Sequence, residues 1–392
     1  MRHREQTDAN ARDRVEGVRL VPPGAAGSAS VRGLDFASQD ALDLAAHPAI
    51  VEAAAETLRR FGVRSVCSAA EAGDAGLSLS LERRIADFLQ MEEAMLTPTG
   101  RAAGQTVIRG LVRPADHVVM DAAIRGGLRE GAEAATRHLS TFRHLDADHC
   151  RARLRAIRAR DGQGGILVVT ESLSPLDSGT PDLSALRAAC DAYGATLLVD
   201  VSQDLGCLGE DGRGHLGLQD MLGKVDLVTG SFSKSFASNG GFIAAGTRSV
   251  TACLRSSGMA AGTATALSPI QTAVILRAFA IIDGAEGVER RARLMRNVLN
   301  LRTALRGQGL TVCGEPSASV SVKVASADVA RLLGGRLAEL GLLADQAAGP
   351  ETIRLHVTAG HSEAEIDQAA ACLATALDRT ASERRPVIRV AA

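Results

Sequence analysis

From about residue 45 the chain alternates between two textures. Apolar residues recur with a period near 3.6 over 47–61, 77–90, 100–113 and 182–193, which predicts amphipathic helices. Between and after them lie short apolar runs closed by Gly, Asp, Glu or Ser: 116–122, 165–172, 195–202, 225–233 and 241–246. Runs without polar alternation, separated by helices, predict parallel strands covered on both faces. A helical bundle is disfavoured, because the runs are β-branched and end in polar residues. Residues 265–308 read as one long helical stretch. After about 318 the order becomes strand (SVSVKVAS), helix 326–341, strand (TIRLHVTAG) and helix 362–379, a smaller α/β unit. The expected organisation is a partly flexible N-terminal arm (1–44), a large domain (45–284), a small domain with its linking helix (285–379) and an exposed tail (380–392).

Composition narrows the chemistry. The 44 Lys+Arg balance 45 Asp+Glu at a net charge of −1, which removes the electrostatic argument for nucleic acid or an anionic membrane surface. No apolar run reaches the ~18–20 residues of a membrane span. The charged first 19 residues lack the apolar stretch of a signal peptide, so a frayed start is expected. Seven scattered cysteines form no CxxC pair, which points to a reducing cytoplasm and away from disulfides or a zinc site. The only lysines are Lys224, Lys234 and Lys323, so amine chemistry has three candidates.

In open α/β sheets ligands sit beyond the carboxyl ends of the strands. There stand Asp200, closing ATLLVD; Lys234, after VDLVTGSFS; and Glu171 and Asp177, after GILVVT. Taken singly, each is ordinary turn or cap chemistry. Longer patterns join them. His47-Pro48 with Phe61-Gly62, then Phe142, His144 and Asp146 (F-x-H-N-D), come first. Asp200 through Gly206, Gly209 and Gly212-Arg213-Gly214 follow a D-x-A-H-x-x-G-x-x-G-x-x-G-R-G pattern, except at its A and H. SFSKSFASNGG (231–241), Thr265-Ala266-Leu267 with Pro269, Arg354-Leu355 and His361 complete the series. In this order, over some 340 residues, the chain resembles the α-oxoamine synthases, pyridoxal-phosphate (PLP) enzymes of fold type I.

The resemblance implies a mostly parallel central sheet flanked by helices, a smaller C-terminal α/β domain, and a homodimer with a shared active site. It implies that Lys234 holds PLP as an internal Schiff base and that Asp200 pairs with the pyridine nitrogen. Thr99, Gly100 and Arg101 would cradle the phosphate at a helix start, with Ser231 and Ser233 adding hydroxyls. Thr265 would reach the phosphate from the partner subunit, and Arg354 would hold the amino-acid carboxylate. The activity implied is decarboxylative condensation of a small α-amino acid with an acyl thioester, on CoA or a carrier protein, to an α-amino ketone. A specialised biosynthetic, cytoplasmic setting is expected.

The chain departs from the family pattern at several points. The ring-stacking His of H-A-S is Arg125, followed by Gly126-Gly127. The His that contacts the ring hydroxyl is Gln203, whose amide keeps a donor. Arg101 replaces the cradle's aromatic, Gly104 an Asn, His356 the second Arg of R-L-R and Ser78 another His, while N-D-Y-L-G reads Gln39-Asp40-Ala41-Leu42-Asp43. Arg125 leaves three readings open: it stacks while another group handles protons, it binds an acidic substrate, or the reaction has changed. A changed reaction on the same cofactor (aminotransferase, decarboxylase or C–C lyase) is therefore the alternative. A non-catalytic partner subunit is a third reading, disfavoured by Lys234. A dehydrogenase is disfavoured because the glycines at 206–214 form no GxGxxG between strand and helix.

Overall fold

The computed structural model describes residues 33–63, 75–256, 267–349 and 351–383. The first half runs β1 (Leu34–Phe36), α1 (Pro48–Phe61), α2 (Ala75–Leu89), β2 (Glu93–Thr97), α3 (Gly100–Leu111), β3 (His117–Asp121), α4 (Gly126–Ala135), β4 (His138–Phe142) and α5 (Ala147–Arg158). It continues β5 (Ile166–Glu171), α6 (Leu183–Tyr193), β6 (Thr196–Asp200), α7 (Gly214–Leu218), β7 (Leu227–Ser231), β8 (Gly241–Ala245) and α8 (Arg248–Ser256). The last part is α9 (Pro269–Asp283), α10 (Ala285–Gly307), β9 (Ser319–Lys323), α11 (Ala327–Glu339), β10 (Leu342–Gly349), β11 (Thr352–His356) and α12 (Glu363–Glu383).

Seven strands form one sheet in the order β2-β8-β7-β6-β5-β3-β4. From β4 to β7 all neighbours are parallel; β8 runs antiparallel between β7 and β2. The unbroken apolar runs are explained by burial on both faces. Val118 and Met120 of β3 pack with α3 and α4 residues such as Val107 and Leu128, while Val119 joins the opposite layer with Leu154 and Leu186. At roughly 1.5–3 kcal/mol per fully buried large aliphatic side chain, these layers supply much of the driving force for folding.

The long helical stretch divides. Ser268 caps α9 in a reciprocal box with Gln271, with Pro269 in the first turn, and Gly284 ends α9 and begins α10. The second sheet has the order β1-β10-β11-β9. Its edge strand β1 lies parallel to β10, with Leu34 opposite Leu342. The chain then crosses to the large sheet: the Ala41 amide donates to the Lys234 carbonyl (3.1 Å), and the Ala41 carbonyl accepts from Ala359 (2.9 Å). Among the described residues no helix is long and apolar enough to cross a membrane.

Candidate active site

The parallel strands deliver their last residues to one edge. Asp200, at the end of β6, is 8% exposed. Its Oδ2 accepts from Thr229 Oγ1 (2.7 Å) and its Oδ1 from the Ser202 amide (2.9 Å). Burial pushes the carboxyl up, against the hydrogen bonds from Thr229 and Ser202 and the charge of Lys234. Lys234 lies in the turn after β7, where burial pushes its ammonium down, opposed by Asp200 and Glu171 and aided by Arg354. An amine released more readily than a free lysine, facing a buried acid, is suited to covalent carbonyl chemistry.

A cavity of about 370 Å³ opens here, lined by Thr99, Gly100, Arg101, Ser202, Ser231, Ser233, Lys234, Asn239 and Gly240. A roomier hollow of about 520 Å³, between Leu111 and Val250, lies at the strands' opposite ends, away from this chemistry. Thr99 caps α3, its Oγ1 accepting from the Ala102 amide (3.0 Å). A Cβ on Gly100 would fall 2.6 Å from Ser231 Cβ, and one on Gly241 would fall 2.6 Å from the backbone of Thr99 and Gly100. Glycine at both positions lets the helix start press onto β7 and β8. The Ser231 and Ser233 hydroxyls stand 2.8 Å apart beside it. Helix amides and the hydroxyls of Ser202, Ser231 and Ser233, with no carboxylate among the described lining residues, suit a dianion, and Lys234 closes the same cavity.

Of three further predicted residues, Arg125 departs from its expected place. Arg101 lines the cavity but is ion-paired with Glu130, which also accepts from Gln105 Nε2 (2.8 Å). Arg125 is exposed, and its Nη1 donates to the carbonyls of Ala122 (2.8 Å) and Ile124 (3.1 Å), so its guanidinium turns back on its own loop and does not line the cavity. Gln203 is half-buried, and its amide makes no hydrogen bond to another described residue. Thr265 lies outside the described residues. The glycines at the divergent positions have a packing reason: a Cβ on Gly127 would overlap the Arg101 carbonyl, and one on Gly104 would fall 3.0 Å from the Leu128 amide. They let α3 and α4 start side by side.

Arg354, on β11, is 7% exposed. Its Nη1 donates to Asp345 Oδ2 (3.1 Å), an oxygen also 3.2 Å from His356 Nε2. Burial lowers its affinity for the proton, opposed by Asp345 and Glu171. His144 bridges Asp121 (Nδ1–Oδ1, 2.7 Å) and Asp177 (Nε2–Oδ1, 3.3 Å). Burial opposes its charge, yet the two carboxylates outweigh it and hold the imidazole at about 10. Ser202, Asn239 and Asp345 were missed from sequence; Ser202, at the A of D-x-A-H, and Asn239, beside Gly240-Gly241 in the lysine motif, stood in legible patterns, and Asp345 did not.

An amine and a buried acid at one edge of the large sheet, an anion cradle beside them and a buried guanidinium on β11 of the second sheet suit a PLP enzyme. Residues 31–373 match the family of class I and II aminotransferases. The chain belongs to this family. It is 30% identical to 8-amino-7-oxononanoate synthase of Geobacter sulfurreducens over 86% of this chain and 87% of that one. This places it among the α-oxoamine synthases, with pyridoxal phosphate as cofactor. It is also 32% identical, over 84% of its length, to putative 8-amino-7-oxononanoate synthase 2 of Mycobacterium tuberculosis, spanning only 42% of that relative. Serine palmitoyltransferase of Sphingomonas wittichii shares the fold: TM-score 0.84 at 23% identity, covering 96% of this chain and 98% of that one.

Proposed function

We propose that the chain is a PLP-dependent C-acyltransferase that joins a small α-amino acid to an acyl thioester, on CoA or a carrier protein, with loss of CO2, giving an α-amino ketone. The observation that carries this is the pairing of a deprotonation-prone Lys234 with buried Asp200 beside the α3 cradle, in a chain of this family. When bound, PLP supplies an electron sink that weakens the bonds at the amino acid's α-carbon. The residues do the rest. The α3 amides with Ser231 and Ser233 hold the phosphate, with Thr99, Gly100 and Arg101 shaping the cradle. Asp200 keeps a proton on the ring nitrogen, a charge-assisted bond worth roughly 1.5–3 kcal/mol. Gln203 donates to the ring oxygen, and Lys234 offers its amine. Arg354, steadied by Asp345, orients the substrate carboxylate.

A homodimer sharing the site, with Thr265 reaching across to the partner's phosphate, and a cytoplasmic location belong to the same proposal. Purified protein is to be supplied with PLP, amino acids and acyl thioesters while free thiol is followed. Thiol release that depends on the amino acid and disappears in Lys234→Ala is the expected result. Keto-acid formation without thiol release would instead establish a changed reaction on the same cofactor. That second reading is favoured by Arg125, whose guanidinium turns onto its own loop. Protein that takes up no PLP would refute both.

A further inference from the structure

Glu171 is a half-buried acid that the chemistry above leaves without a task. It ends β5 directly opposite Asp200 at the end of β6, and the two strands are parallel. Register partners on parallel strands send their side chains to the same face of the sheet, about 4.8 Å apart. On the other flank of Asp200 stands its register partner on β7, Thr229, whose hydroxyl it accepts. A row Glu171–Asp200–Thr229 therefore crosses three strands beneath the cofactor site.

The two carboxyls are equipped differently. Asp200 accepts from Thr229 and from the Ser202 amide. Glu171 has no side-chain hydrogen bond to another described residue. Around it stand two acids, Asp200 on β6 and Asp121 on β3. Facing it as cations are His144 after β4, Lys234 after β7 and Arg354 on β11. Burial, then Asp200 and Asp121, push its carboxyl well above the usual carboxylate range, and the cations do not make this up. Of two neighbouring acids at one site, the one with donors keeps the charge and the other keeps the proton.

We propose that Glu171 stands in this site as a neutral carboxylic acid, a positioning residue that leaves Asp200 the single negative charge facing the cofactor's ring nitrogen. This rests on the reading that the cavity holds PLP. Glutamine is its neutral isostere and alanine removes it, so the pair separates charge from packing. In Glu171→Gln the affinity for PLP should stay within about twofold of the parent. The pH midpoint of the bound cofactor's visible absorbance should stay within about 0.3 units. Glu171→Ala should lose about tenfold in PLP affinity, as Asp200 loses a wall of its pocket. The infrared carbonyl band of a protonated carboxyl, read on cofactor-free protein at pH 7, should be present in the parent and weaker in Glu171→Gln.

A charged Glu171 would give the opposite pattern. Removing its charge would drop the absorbance midpoint by on the order of one unit, because Lys234 would lose a stabilising anion, and the infrared band would not change. Either result overturns the proposal. A glutamine variant that does not fold overturns it equally, since replacing a neutral acid by its neutral isostere removes no charge. Failure of the PLP reading shows separately, as parent protein without visible absorbance on adding PLP, while the infrared comparison still reports on Glu171.

Discussion

Replacing His144 by asparagine removes the cation that ties Asp121, at the end of β3, to Asp177, in the loop after β5. The imidazole is lifted from 6.5 to about 10, which sets a ceiling of about 5 kcal/mol on its contribution. Breaking a buried pair costs roughly 3–5 kcal/mol. Here His144 is 26% exposed and Asp177 35% exposed, so solvent screening reduces the loss to about 2–3 kcal/mol. A raised folded-state value means that the stability is fully present below about pH 6.5 and disappears as the pH climbs to about 10. Both acids are lowered, Asp177 to about 2, so their share is present above the ordinary carboxylate range and is lost as the pH falls through those values. Parent and His144→Asn should therefore differ most between about pH 4.5 and 6.5 and converge near pH 10. Urea unfolding of both proteins at pH 6 and pH 10 measures this. A difference under about 0.5 kcal/mol at pH 6, or one of equal size at both pH values, would refute the bridge as an ionic one.

Three further outcomes follow from geometry already described. Gly241→Ala would place its Cβ 2.6 Å from the backbone of Thr99 and Gly100, costing about 1–3 kcal/mol and loosening the phosphate cradle at least tenfold, as read by PLP titration. Asp200→Asn should lower kcat by about 10–100-fold while leaving the urea midpoint near that of the parent; an unchanged kcat would remove Asp200 from the chemistry. The thiols of Cys150, Cys190 and Cys207, pushed up to about 12 by burial, should resist a disulfide reagent at pH 8 in the folded protein and react on unfolding.

In the large sheet the strands read from sequence, β3, β5, β6, β7 and β8, are those whose hydrophobicity is continuous because both faces are covered; β9 and β11 of the second sheet were read as well. The strands that escaped lack that signature. β4 (HLSTF) is an edge strand and only Phe142 is buried, while β10 (LLADQAAG) is written in helix-forming residues and gains its shape from β11 and β1. Lys234 and Asp200 could be picked out as candidates because the chemistry proposed for them demands one residue type, whereas the close approach of Gly100 and Gly241 emerges only in the fold. Asp345 could not be picked out, because its role arises only when β10 and β11 pair across a turn and bring it to Arg354. The direction of the Arg125 guanidinium was likewise unreadable, since it depends on carbonyls freed at the end of β3.

The pairing of β1 with β10 has a consequence for how the protein comes into being. Leu34 meets Leu342, so β1 waits on the ribosome for a partner made about 300 residues later. At 5–20 residues per second, that interval lasts roughly 15–60 s. Throughout it the segment that reaches the Lys234 carbonyl through Ala41 has neither its strand neighbour nor Ala359 to fix it. Lys234 and Asp200 are both synthesised well before then, on a sheet that can already form. The cofactor pocket is thus finished from outside, by β1 closing on the late strand β10, and a nascent chain halted before residue 342 would carry the reactive amine in an incomplete pocket.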